Sequence, residues 1–203
     1  MNMIDLRSLH SRSLDVVTPL LTPVTGDQLG HSTPCADWTL RQLLEHMIGQ
    51  NYGFASAVDS PADVPLAAFA PRPLTGSVVT DWEESARNIR TAFADADLRR
   101  AVLLPEVSAE QRIPTGLVVG FHLLDTVVHA WDVATTLGVT FEPDAELVAA
   151  TLRIAEAVPD GPEVRGPGAA FAPRLETEAS DEWSRALTLV GRTPRSARAT
   201  PVA

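Results

Sequence analysis

Residues 116–137 read GLVVGFHLLDTVVHAWDVATTL. The run is apolar almost all round and has no proline, so it predicts one long helix buried on most sides. Gly138 follows it and suits the left-handed residue that ends a helix. Set into this apolar run is His122-x-x-Asp125-x-x-x-His129-x-x-Asp132. At about 100° per residue, Asp125 lies about 60° from His122, His129 about 20° and Asp132 about 80°. Four polar, metal-competent side chains therefore share one helix face. Polar groups on a buried helix cost free energy unless something partners them.

Outward from this helix, other helical runs appear. Residues 3–21 carry Ile4, Leu6, Leu9, Leu14, Val17, Leu20 and Leu21 near helical spacing, with Pro19 able to kink the last turn. A second helix starts after Thr39, or after Asp37 one turn earlier, and keeps its period to about Val58. Residues 59–77 hold four prolines and read as an irregular connection. A third helix is predicted over 77–94, on the stripe Val78, Val79, Trp82, Ala86, Ile89 and Phe93. Residues 101–104 suit a short strand or an extended connector, and 105–115 read as a polar stretch with a second proline, Pro114. Beyond Gly138 come helices over 144–158 and 180–191, with a Gly/Pro-rich loop over 161–173 between them. The expectation is a mainly α protein: a four-helix bundle over 1–140, and a helical extension over 141–191 packed on it. The polar tail, 192–203, is predicted to be disordered.

Composition narrows the function classes. The chain has 203 residues, 45% hydrophobic and 21% charged, which suits one domain with a small appendage. Cys35 is the one cysteine, so disulfide frameworks and Cys-only zinc sites are excluded. A net charge of −10 argues against nucleic-acid or anionic-membrane partners. No stretch approaches ~18 consecutive apolar residues, which argues against a membrane span. The first residues lack a secretory h-region, so a cytoplasmic location is expected. All 16 basic residues are arginine, which excludes lysine Schiff-base chemistry.

Asp125 and His129, one turn apart, can bind one metal as paired ligands on bundle helices do. His46, on a second core helix, is the histidine placed to supply a third ligand; His10 lies near the N-terminus and His31 in a loop. The trio His46, Asp125 and His129 would leave a coordination position open, the catalytic rather than the structural pattern. Each residue also has an ordinary reading. An Asp–His pair at this spacing is often just a local hydrogen bond, and His46 a satisfied core histidine. His122 can be a buried hydrogen-bond partner. Asp132 can bond to backbone or to an arginine such as Arg41. Trp82 and Trp131 can be core. Cys35 follows Pro34 just ahead of a helix N-terminus, where a thiolate is favoured, though a lone loop cysteine is usually inert.

The segment TPCADWTLRQLLEHMIGQNYGFA (33–55) resembles the N-terminal signature of the DinB-like bundle proteins related to mycothiol-dependent maleylpyruvate isomerase. Its run TPC-x-x-W-T-x-x-x-L-x-x-H is complete here. GFHLLDTVVHAWDVATTLG (120–138) resembles the second signature, a carboxylate or histidine four residues before the histidine of VHxWD. Residues 166–194 are similar to an actinobacterial branch described only as metal-binding. The resemblance implies an up-down-down-up four-helix bundle. It also implies a divalent metal, zinc first and nickel or iron next, held by His46, Asp125 and His129. At the position of Asp125 many DinB-like proteins carry histidine and the isomerase carries glutamate. Aspartate is one methylene shorter, and His122 is placed to supplement it.

These readings point to a metal-dependent enzyme, a transferase or isomerase that uses a mycothiol-type thiol on a small electrophilic metabolite. His122, Asp132 and Arg41 would support the site, with Trp38, Phe54, Trp82 and Trp131 as walls and Arg41 or Arg87 available to a substrate carboxylate. The alternatives are a metal-hydroxide hydrolase and a metal-containing binding protein without turnover. A third is a structural bundle whose polar stripe is only hydrogen-bonded. Monomer and homodimer are both open, since long apolar helices permit bundle-to-bundle pairing.

Overall fold

The computed structural model describes residues 5–35, 38–162, 164–165, 171–176 and 179–194. The chain divides into two compact units, Met1–Leu147 and Val148–Ala203. The fold is mainly helical, as expected, with a C-terminal extension.

The first unit is built from α1 (Arg7–Asp15), α2 (Thr18–Leu21), α3 (Leu40–Asp59), α4 (Val78–Asp95) and α5 (Thr115–Leu137). α3 packs on α4 and α5, and α1 packs on α5 and α4. That pairing orders the four long helices as a ring, α1–α4–α3–α5, with α1 and α3 at opposite corners. The continuous helix expected over 3–21 is instead broken at Val16 and Val17. Pro19 is the reason. It has no N–H to give and its ring would strike the carbonyl four residues back, so the chain restarts with Pro19 in the first turn of α2. α3 begins where the capping residues dictate. Thr39 accepts from the Gln42 N–H, and the Gln42 side chain accepts from the Thr39 N–H at 2.9 Å. The alternative cap, Asp37, lies outside the described residues, as does most of the tail expected over 192–203.

α3 carries Leu40, Leu43, Leu44, Met47 and Phe54 into the core, and α4 carries Trp82, Ile89 and Phe93. The proline-rich connection between them contains one short 3₁₀ turn, Leu66–Phe69, that seats Phe69 edge-on against Phe54. Gly53 makes this possible, since a methyl group there would run into the Phe69 ring.

Ahead of α5, β1 (Ala101–Leu103) pairs antiparallel with β2 (Arg112–Pro114). The second strand lies within the stretch read from the sequence as polar. Its three residues are too short to show alternation, and only the Ile113–Val102 pair is buried. Arg100, just before β1, joins two helix ends. Its guanidinium donates to Val58 O at 2.7 Å and to Ser60 O, the carbonyls that the end of α3 leaves open. Its own carbonyl accepts from the Thr115 N–H and hydroxyl, both at 2.9 Å, at the start of α5.

α5 ends on Gly138 at φ 71°, as its position implied. By length and composition α5 could cross a membrane, yet 83% of its apolar stretch is buried inside the protein. It is the core helix of the bundle. α6 (Ala145–Ala157) straddles the boundary between the units, and its start is capped by Asp144.

In the second unit, α7 (Glu182–Leu189) is capped by Asp181. The buried guanidinium of Arg165 ties the unit together, donating to Pro159 O, Ala172 O and Leu189 O.

Candidate metal centre

α3 brings His46 and α5 brings Asp125 and His129 to one place. One ligand-competent atom from each lies within 4.8 Å of the other two. His129 Nε2 is 3.2 Å from Asp125 Oδ1, and its Nδ1 is 2.9 Å from Asp132 Oδ2. The imidazole is thus held between two carboxylates on its own helix. Asp132 is fully buried and Asp125 partly open. The His46 ring meets the His129 ring edge-on at 5.3 Å. Trp38 covers His46 at 4.6 Å and stands 6.4 Å from His129.

The electrostatics differ across the cluster. Burial pushes His46 down to about 4, with the Asp125 charge opposing in part. His46 is therefore neutral at neutral pH, with a lone pair to offer. Burial also disfavours a charged His129, but Asp125 and Asp132 outweigh it and raise its pKa to about 10. Burial would raise Asp125, yet His129 holds it well below the usual carboxylate range. Two carboxylates face one imidazolium, with His46 neutral.

The other expected residues are placed as follows. His122 is buried, 1% exposed, one tier inward from the trio. Its Nδ1 is 2.9 Å from His10 Nε2 and 3.2 Å from Thr126 Oγ1, and its Nε2 has no hydrogen-bond partner. Phe54 and Phe93 pack edge-on against its ring. Burial pushes His122 down to about 4 and takes His10 well below the ordinary imidazole value. Arg41 does not reach Asp132. It lies on the surface of α3, 3.7 Å from Glu45 one turn on. Asp132 meets His129 instead, because i and i+3 on α5 are neighbours. Trp82 and Trp131 are buried in the core, and Arg87 lies in a groove beside Leu14 and Glu83.

His10 and Glu106 escaped the reading of the sequence, and Cys35, read there as a loop cysteine that is usually inert, lies beside the site. His10 was set aside as N-terminal, yet it is buried in α1. Its signal was the spacing to Leu6 and Leu14, four residues either side. Cys35 comes within 4.8 Å of His129 and Asp132 atoms. Glu106, on the turn between β1 and β2, points its carboxylate back to the buried Gln50 Nε2 at 2.9 Å. Burial, with a smaller push from Asp125, brings Glu106 up to about 7 despite that hydrogen bond. Gln50 sits one turn after His46, a spacing that marked it as a neighbour of the site.

Known proteins match this arrangement. The sequence profile of the mycothiol maleylpyruvate isomerase N-terminal domain matches residues 10–134. Two Mycobacterium tuberculosis proteins, one from each of two strains and both described as uncharacterized, are 33% identical over 163 residues. The match covers 80% of this chain and 84% of theirs. Among solved structures, the mycothiol-dependent maleylpyruvate isomerase aligns with a TM-score of 0.58 at 14% identity, and a substituted variant of it with 0.61 at 13%. Each alignment covers 84% of this chain and 74% of that one, and shows a shared fold. The chain belongs to the mycothiol maleylpyruvate isomerase N-terminal domain family.

Proposed function

We propose that the protein is a metal-dependent enzyme that uses a small thiol of the mycothiol type, as an isomerase or transferase acting on a small electrophilic metabolite. The observation that carries this reading is the convergence of His46, Asp125 and His129 within 4.8 Å from two helices. A neutral imidazole, a carboxylate and, once His129 Nε2 releases its proton to the entering ion, a second imidazole make a three-donor set with room for a further ligand. Family membership supports the thiol.

A divalent ion in this set would supply Lewis acidity, lowering the pKa of a bound thiol or water. The chain's own groups prepare the place. Asp132 holds the proton on His129 Nδ1, which fixes the tautomer and turns Nε2 toward Asp125. The Trp38 ring packs against the His46 ring at 4.6 Å and helps hold its orientation. Glu106, anchored by Gln50, gains or loses a proton near neutral pH and is suited to proton transfer.

Elemental analysis of protein purified without a chelating tag tests the reading, beside His46→Ala and His129→Ala. About one divalent ion per chain, lost in both variants, is expected. No metal in the wild type, even after reconstitution, overturns it. Thiol-dependent turnover then separates an enzyme from a metal-containing binder.

A further inference from the structure

The second unit holds a buried cation whose donors are only partly used. Arg165 reaches three backbone carbonyls through Nε and Nη1, but its Nη2 is buried with no hydrogen-bond partner. Arg174 donates to Val158 O through Nη2, while its Nε is buried and likewise makes no hydrogen bond. Both guanidiniums turn to one carboxylate. Asp160 Oδ1 lies 3.0 Å from Arg165 Nε and 3.4 Å from Arg174 Nε, the second contact without the alignment of a hydrogen bond. Among the described residues, two positive charges thus share one acidic partner. Burial and the Arg174 charge pull the Arg165 pKa below its ordinary value, and Asp160 opposes them only in part. The Arg165 side chain is 4% exposed and that of Asp160 61%. The carboxylate therefore approaches from solvent and can swing back to it, whereas the guanidinium is fixed.

We propose that Arg165 and Arg174 form an anion site within the second unit, which takes the carboxylate or phosphate group of a small molecule, and that Asp160 occupies it until such a group displaces it. The donor geometry sets the preference. The Nε and Nη2 groups of a guanidinium make a fork that fits two oxygens of one carboxylate or phosphate. Asp160 fills the Nε prong of Arg165 with a single oxygen and leaves Nη2 empty. A free anion places a second oxygen on Nη2 and satisfies a buried donor that is costly to leave unpaired. Asp160, Arg165 and Arg174 all lie in the second unit, so the site stands or falls apart from the metal centre.

Metal-free, full-length protein is titrated separately with inorganic phosphate and with succinate, and the arginine Nε–H resonances are followed by NMR. In the wild type the Arg165 and Arg174 signals should shift and saturate. Tighter binding of phosphate assigns the site to a phosphate group, and tighter binding of succinate to a carboxylate. Arg174→Gln should weaken binding roughly tenfold, read on the Arg165 signal. Asp160→Asn should tighten it by about the same factor, since the competing charge is gone. His46→Ala should bind as the wild type does. No binding of either probe by the wild type overturns the site. So does binding that Arg174→Gln leaves intact, which puts the anion elsewhere. Binding that Asp160→Asn leaves unchanged or weakens makes Asp160 a permanent partner and also overturns the proposal. Binding lost in His46→Ala does the same, because the anion then belongs to the other centre.

Discussion

His122 and His129 stand seven residues apart on the same face of α5, and their surroundings drive them to opposite charge states. His129 lies between two carboxylates and is held protonated. His122 lies among His10, Phe54 and Phe93 and is held neutral. Residue type and helix position are the same, so the difference comes from the partners. The outer tier is a place for positive charge, and the inner tier excludes it. A cation has one destination along this helix.

The comparison breaks first at the inner tier. Replacing His122 by Ala leaves a cavity between two phenyl rings and strips His10 of its buried partner. A loss of about 2–4 kcal/mol is expected by denaturant titration, with metal content unchanged. Loss of metal in that variant would mean that the tiers are one site. Asp132→Asn attacks the outer tier without changing its shape. The expected result is roughly 10–100-fold weaker metal binding in a competition titration, with the fold intact. Unchanged affinity would show that Asp132 neither orients His129 nor balances charge.

The pH dependence of the metal-free protein sharpens the contrast by sign. His122 and His46 titrate near 6.5 when unfolded but near 4 when folded. The unfolded chain binds more protons between those values, so stability falls as pH drops from 6.5 toward 4. His129 runs the other way. Its folded value of about 10 exceeds the unfolded 6.5, so its contribution is complete below 6.5 and is lost as pH rises toward 10. Chemical-denaturation midpoints across this range should therefore fall on both sides. His122→Ala should flatten the acid side and Asp132→Asn the alkaline side. A variant that flattens the wrong side would reverse the charge assignment.

The outer tier was largely legible in the sequence because its partners are local. Asp125, His129 and Asp132 meet through helical spacing alone, and His46 stood out as a histidine on a core helix. The inner tier was not legible. His10 and His122 are 112 residues apart, and no local period connects them. Cys35 fails for the same reason, since a loop has no period to read. The start of α3 was legible as Thr39 or Asp37 and the glycine stop at 138 was plain, because caps are local hydrogen-bond chemistry. The break before α2 was half legible. Pro19 announced a disturbance, but not that the helix would restart around it. Glu106 was hidden by its polar surroundings, because a charged residue in a turn ordinarily faces water.

Arg100 ties the end of the helix that carries His46 to the start of the helix that carries Asp125 and His129. It works as a vernier between two rods. A slide of one rod by a single residue moves a side chain about 1.5 Å along the axis and about 100° around it, enough to empty a three-donor set. The alignment of the centre is thus set at the far ends of its helices, where sequence variants would detune it without touching a ligand.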